Sequence, residues 1–216
     1  MFFFPIGCFV FLLLILFLPV FFFLIFFNII SFSFEKLGFS PEATFLIIFL
    51  ILIGSAINIP LTSKRRVYTQ RSYFLGFFQR REIEYQGVAV NLGGAVIPFS
   101  VSVYLLGRVP LQSTLIATIL MIIICFSLAR VIPGRGIVLP ALIPPIFSAL
   151  FALILAPDFA APVAFISGVL GTLIGADVLN IKKVLKTSPG MLSIGGAGVF
   201  DGVFLVGIVS VFLCAI

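Results

Sequence analysis

The chain has 216 residues, 62% of them hydrophobic and only 9% charged, with a net charge of +6 and no His. An ordinary soluble domain carries roughly 25% charged residues, so a water-facing surface of normal size is excluded. The length fits one compact bundle rather than two large domains.

The basic residues flank apolar runs instead of forming a patch of their own, which assigns them to membrane topology and not to nucleic acid. Cys8, Cys125 and Cys214 all lie in apolar runs without a CxxC pair. With His absent, this pattern predicts no metal centre, no cofactor and no disulfide framework. The amino-terminal run has no Lys or Arg before it and no small-residue cleavage site, so it reads as a spanning segment rather than a secretory signal.

A bilayer core requires about 20 apolar residues per helix. In chain order the segments that approach this are 4–33, 43–60, 87–106, 111–130, 137–156, 160–181 and 191–215. The expected fold class is therefore an all-α membrane protein: a single polytopic domain over 1–216, a bundle of about seven transmembrane helices. Pro140, Pro144 and Pro145 are expected to kink the fifth helix and expose its carbonyls.

Loop charge sets the expected orientation. Lys36 and Arg108 fall in the first and third loops, and the fifth has no basic residue. The second loop holds Lys64, Arg65, Arg66, Arg71, Arg80 and Arg81. The fourth holds Arg130 and Arg135, and the sixth Lys182, Lys183 and Lys186, so 11 of the 13 basic residues lie on one side. The positive-inside rule puts loops 61–86, 131–136 and 182–190 in the cytoplasm of a cell-membrane protein, with both termini assigned outside. Within 61–86, the β-branched and aromatic run Val67–Tyr85 around Gly76 predicts a short β-hairpin. The alternative is an interfacial amphipathic loop, with Tyr73, Phe74, Phe77 and Phe78 among lipid headgroups.

Of the seven acidic residues, Glu35, Glu42, Glu82, Glu84 and Asp158 fall in loops or at span ends, whereas Asp177 and Asp201 fall inside spans. An ionised Asp at a helix centre costs roughly 2.5–3.5 kcal/mol, so such a residue faces the bundle interior. Asp177 lies about 7–8 Å from its helix end, and Asp201 about 15 Å deep if its segment is helical throughout. The short loop between their helices makes those helices antiparallel neighbours, on which the two carboxyls are able to converge.

Gly195, Gly196 and Gly198 precede Asp201. Glycines cost a water-exposed helix about 1 kcal/mol each. In a bilayer they permit either close helix packing or a broken stretch that lines a polar cavity. Gly168, Gly171 and Gly175 are expected to pack the sixth helix against the seventh. Asn91 reads first as interhelical hydrogen-bonding glue and second as a ligand contact.

Taken together, Ala89-Val-Asn91-Leu-Gly93-Gly94-Ala-Val-Ile-Pro98, Pro140-Ala-Leu-Ile-Pro-Pro145, Gly175-Ala-Asp177 and Ser193-Ile-Gly-Gly-Ala-Gly-Val-Phe-Asp201-Gly202-Val-Phe-Leu205 resemble an uncharacterised family of prokaryotic multi-pass membrane proteins, the domain-of-unknown-function family 1614. The resemblance covers roughly residues 50–216 and implies no established activity. A similarity to intramembrane aspartyl proteases stays at the level of motifs. Those enzymes carry one Asp after Tyr, another in Gly-x-Gly-Asp, and a later Pro-Ala-Leu. Here Asp177 follows Ala176, Asp201 follows Gly198 by three residues, and Pro140-Ala141-Leu142 precedes both.

Three functions remain open. A small-solute or ion-coupled transporter or permease would bind a cation or solute through Asn91, Gly196, Gly198 and Asp201. An intramembrane hydrolase would use Asp177 and Asp201 as a catalytic pair sharing a proton. A non-catalytic scaffold would use the same groups only for structure. Whether the chain is an enzyme is not decided by the sequence; the lipid bilayer is the one partner it implies in every case.

Overall fold

The computed structural model describes residues 6–62, 65–73, 78–132, 136–187, 191–196 and 202–215, with only the backbone described at 6, 8–10, 65–73 and 78–85. Three helices are long and apolar enough to cross a membrane: Phe11–Lys36, Leu111–Leu128 and Pro157–Thr187. Four shorter apolar helices accompany them: Pro41–Ser55, Leu92–Leu106, Ile143–Leu155 and Gly202–Ala215.

Helix α1, Ile6–Lys36, runs through Pro19. At 1.5 Å per residue it is about 46 Å long, more than a bilayer core of about 30 Å. Its second half enters the core through Ile30 and Phe34, whereas Phe11–Ile25 turn large apolar side chains outward. Gly38, at φ 85°, ends it. Phe39 N–H donates to the Phe34 carbonyl and Gly38 N–H to that of Glu35. The Phe34 and Phe39 rings close the turn at 5.7 Å. Positive φ, two reversed hydrogen bonds and an apolar clasp make this a Schellman stop. Helix α2, Pro41–Ser55, then starts on Ser40, whose Oγ accepts from Ala43 N–H.

Between α2 and α3 the chain is extended. Strand β1, Asn58–Pro60, precedes a hairpin of β2, Arg65–Tyr73, and β3, Phe78–Asn91. The hairpin pairs antiparallel from Arg65↔Gln86 to Tyr73↔Phe78. Of the two expectations for this loop, the hairpin is the one observed; its centre, Phe74–Phe77, lies outside the described residues. Beyond the hairpin β3 continues, pairing antiparallel with β1 and parallel with β6, Met191–Ile194.

A π-helical turn, Leu92–Val96, leads into α3, Ile97–Leu106. Helix α4, Leu111–Leu128, is followed by the small ribbon β4, Arg130–Ile132, and β5, Gly136–Val138. Helix α5, Ile143–Leu155, connects through a short turn to α6, Ala160–Thr172. The chain then loosens into a π-turn, Leu173–Asp177, tightens into a 3-10 turn, Val178–Asn180, and resumes as α7, Ile181–Thr187. Helix α8 is Gly202–Ala215.

These boundaries correct several expectations. Residues 58–60, 87–91, 137–138 and 191–194, expected in spans, are strand. Each is a short apolar run, which periodicity alone cannot assign to strand or helix. Pro144 and Pro145 lie in the first turn of α5, where the missing N–H is harmless, so they start that helix rather than kink it.

The strands gather at one end of the bundle. β6 pairs with β3, and α7 packs against β4, so the α2–α3, α4–α5 and α6–α8 connections share that end. At the other end the Phe39 ring meets Tyr104 at 5.5 Å, and Val109 packs against the cluster containing Ala160. Helices α1 and α8 therefore both run away from the sheet, and the chain enters the bundle at one end and leaves it at the other.

Helix α6 is the central element, packed by α3, α4, α5 and α8. A Cβ on Gly168 would meet Ser148 Oγ and Val206 Cγ1 at 3.1 Å. On Gly171 and Gly175 it would meet Met121 Cβ and the Ile122 carbonyl at 2.5 Å. The small-residue stripe thus packs partly on α5 and α8 but mostly on α4, where α8 alone was expected. The Gly on the facing helix is Gly207, against Phe165 and Val169.

Gly93 is the tightest contact in the π-turn: a Cβ there would lie 2.2 Å from the Ile51 carbonyl and 2.5 Å from Ser55 N. Gly93→Ala is expected to cost about 1–3 kcal/mol and to lower the melting temperature in detergent. Gly107→Ala, with nothing within 4 Å, is expected to leave it unchanged.

Candidate functional site

At the sheet end three interruptions of regular helix come together: the π-turn after β3, the π and 3-10 turns after α6, and the glycine turn after β6. Broken helix leaves backbone N–H and C=O groups without intrahelical partners, and in an apolar surrounding each must find another. Side-chain amides and one carboxylate supply them.

Asn91, the last residue of β3, is fully buried. Its Oδ1 accepts from Gly94 N–H at 2.7 Å and so caps the π-turn. Its Nδ2 donates to the Ser55 carbonyl at 2.7 Å and to Asn58 Oδ1 at 3.2 Å. Asn58 Oδ1 also accepts from Ser193 Oγ at 2.6 Å. One amide thereby ties the end of α2, strand β1, the π-turn and strand β6. The expectation of Asn91 as glue between helices is realised differently: it caps one turn and bonds across strands.

Asn180 does the same for the other break. It is buried, and its Nδ2 donates to the Gly175 and Ala176 carbonyls, at 3.2 and 3.0 Å. These are carbonyls freed where the helix departs from its usual bonding.

Asp177, half-buried, closes that π-turn, and its Oδ2 accepts from Gly195 N–H at 2.8 Å. Gly195 and Gly196 have φ of 77° and 72°, a left-handed pair that only glycine adopts readily. Gly195 also abuts the first π-turn: a Cβ there would lie 2.6 Å from both N and Cβ of Ala95. The glycine stretch is thus a break and not a continuous packed helix, at least over 191–196.

The structure brings Asp177, Asn91, Gly195 and Gly196 into one contiguous seam. Asp201 and Gly198 lie outside the described residues. Asp201's depth was reckoned along a helix running from 191, and 191–196 is strand and turn, so that premise fails. Ser55, Asn58, Ser193 and Asn180 belong to the seam but were not singled out as site residues. The signal was present in the polar residues bordering Gly- and Pro-rich runs, Asn58-Ile-Pro60 and Ser193-Ile-Gly195.

A family model described as "Protein of unknown function (DUF1614)" matches residues 52–213. The chain belongs to this family. The DUF1614 match takes in the whole seam and leaves out α1 and most of α2. Among curated proteins and among solved structures, none matches the chain.

Replacing Asn91 by Leu strands the Ser55 carbonyl and the Gly94 N–H, both on buried residues, while exposed Asn58 keeps its bond from Ser193 Oγ. Each unpaired group costs about 1–3 kcal/mol, so Asn91→Leu is expected to abolish the folded bundle or lower its melting temperature more than any single exposed substitution. Thermal unfolding of detergent-purified protein checks this.

Proposed function

We propose that this chain is a multi-pass cell-membrane permease or transporter for a small solute or cation, with its site at the seam of Asp177, Asn91 and the Gly195–Gly196 turn. The observation that carries the proposal is Asp177: a carboxylate, half-buried among apolar helices, placed where three segments break. Broken segments whose freed backbone groups converge on an acidic side chain are how transporters build cation and solute sites at depth. In that arrangement Asp177 supplies the negative charge, and the Gly195 N–H holds one of its oxygens in place. Gly198 and Asp201, which lie outside the described residues, are the other two groups proposed for this site.

The same reading fixes orientation. The positive-inside rule puts the sheet end, with the arginine-bearing hairpin, in the cytoplasm. The amino end is then cytoplasmic and the carboxyl end outside.

A second reading has its own support. Both side-chain donors of Asn91 and one acceptor site of its Oδ1 are spent within the protein, in keeping with a purely structural seam. In that reading the chain is a non-catalytic membrane scaffold. The paired-aspartate hydrolase would need Asp201 beside Asp177 with a shared water.

Reconstitution separates these functions. Vesicles containing the protein are expected to show proton or sodium flux above empty vesicles, read by an entrapped pH- or sodium-sensitive dye. Asp177→Asn and Asp201→Asn should each lower it by about tenfold or more, the loss of one charge-assisted contact being worth roughly 1.5–3 kcal/mol. Flux that is unchanged in both variants contradicts the transport reading. Loss of stability without any flux in the parent protein supports the scaffold.

A further inference from the structure

A second polar feature lies at the opposite end of the bundle. Between the last turns of α1 and the first turns of α2 is a cavity of about 310 Å³. Phe27, Phe39 and Phe45 give it aromatic walls, and Ser31, Glu35 and Thr44 give it polar ones. It falls entirely outside residues 52–213 and so outside the part of the chain shared with the family.

A buried hydroxyl that the fold leaves unexplained and an exposed carboxylate line it. Thr44 is only 4% exposed, yet its Oγ1 has no hydrogen-bond partner among the described residues. A buried hydroxyl without a partner costs about 1–3 kcal/mol, which a bound donor or acceptor would remove. Glu35 is the only carboxylate lining the cavity, and no cation among the described residues is paired with it. The adjacent Lys36 is turned elsewhere, with Nζ 5.2 Å from the centroid of the Phe32 ring.

We propose that this cavity binds an organic ammonium group, with Glu35 as its counter-ion, Thr44 as a hydrogen-bond partner and the three phenyl rings around its apolar portion. A carboxylate repels anions, and a hydroxyl and a carboxylate are wasted on a hydrocarbon tail. Phenyl faces attract ammonium cations and accept alkyl chains equally well. The same end of the bundle already uses this chemistry twice, in Lys36 over Phe32 and Arg108 over Tyr104. The ammonium has two possible sources, the headgroup of an ethanolamine phospholipid and a free amine.

The test uses the full-length protein purified in detergent, with hexylamine and its neutral analogue hexanol as probes, followed by calorimetry. Hexylamine is expected to bind about tenfold or more tighter than hexanol, the margin of a charge-assisted contact. Glu35→Gln should erase that margin while leaving hexanol binding and the melting temperature unchanged, and Glu35→Asp should retain most of it. Thr44→Val should weaken hexylamine several-fold. Phosphatidylethanolamine retained through purification by the parent protein but not by Glu35→Gln assigns the ligand to lipid; hexylamine binding without such retention assigns it to a free amine. Equal binding of hexylamine and hexanol, or a margin that survives Glu35→Gln, overturns the proposal.

Discussion

The fold depends on one requirement: every backbone polar group exposed by a broken helix, in a chain this apolar, must be bonded within the protein. Water cannot do it, and lipid offers nothing to bond. Three breaks lie side by side; two are answered by an amide of their own segment, and one bond joins the second break to the third. The Gly195 N–H is answered by Asp177, the Gly175 and Ala176 carbonyls by Asn180, and the π-turn at Gly94 by Asn91. Strand pairing of β3 with β1 and β6 takes up the rest of that end. Were the glycine turn set apart from the Asp177 turn, the Gly195 N–H would lose this partner.

The glycines follow from the same requirement. Breaks can share hydrogen bonds only if their backbones approach closely, and that leaves no room for side chains at Gly93 and Gly195. Gly195 must also turn left-handed so that its N–H faces Asp177. Farther up the bundle Gly171 and Gly207 serve packing alone, drawing α6 onto α4 and α8. Two uses of glycine thus coexist: in the helices it brings surfaces together, and at the sheet end it lets the chain change direction where a polar group has to be aimed.

How much of this was legible beforehand depended on the kind of signal. Long apolar runs reported α1, α4 and α6 well, because nothing else demands so many consecutive apolar residues. The charge asymmetry between loops reported the common end on which the three strand-bearing connections gather. Val67–Tyr85 reported a hairpin through its β-branched and aromatic content. Hidden from view were the strands at 58–60, 87–91 and 191–194, since a few apolar residues beside a helix look like more helix. Their strand state is set by pairing with segments up to about 104 residues away in the chain, β3 with β6 above all, and long-range pairing leaves no local trace. Asp177 was picked out by the cost of an acid in an apolar span, and Asn91 by the glycines after it. Their actual partners, Gly195, Ser55 and Asn58, were set by tertiary contact.

The seam's central element is the hydrogen bond between Asp177 and the Gly195 amide, and it can be observed directly. In isotope-labelled protein in lipid nanodiscs, the Gly195 amide proton is expected far downfield. It should move in step with ionisation of the Asp177 carboxyl and return to an ordinary glycine position in Asp177→Ala. A Gly195 resonance indifferent both to pH and to the loss of that carboxylate would contradict the seam and everything built on it.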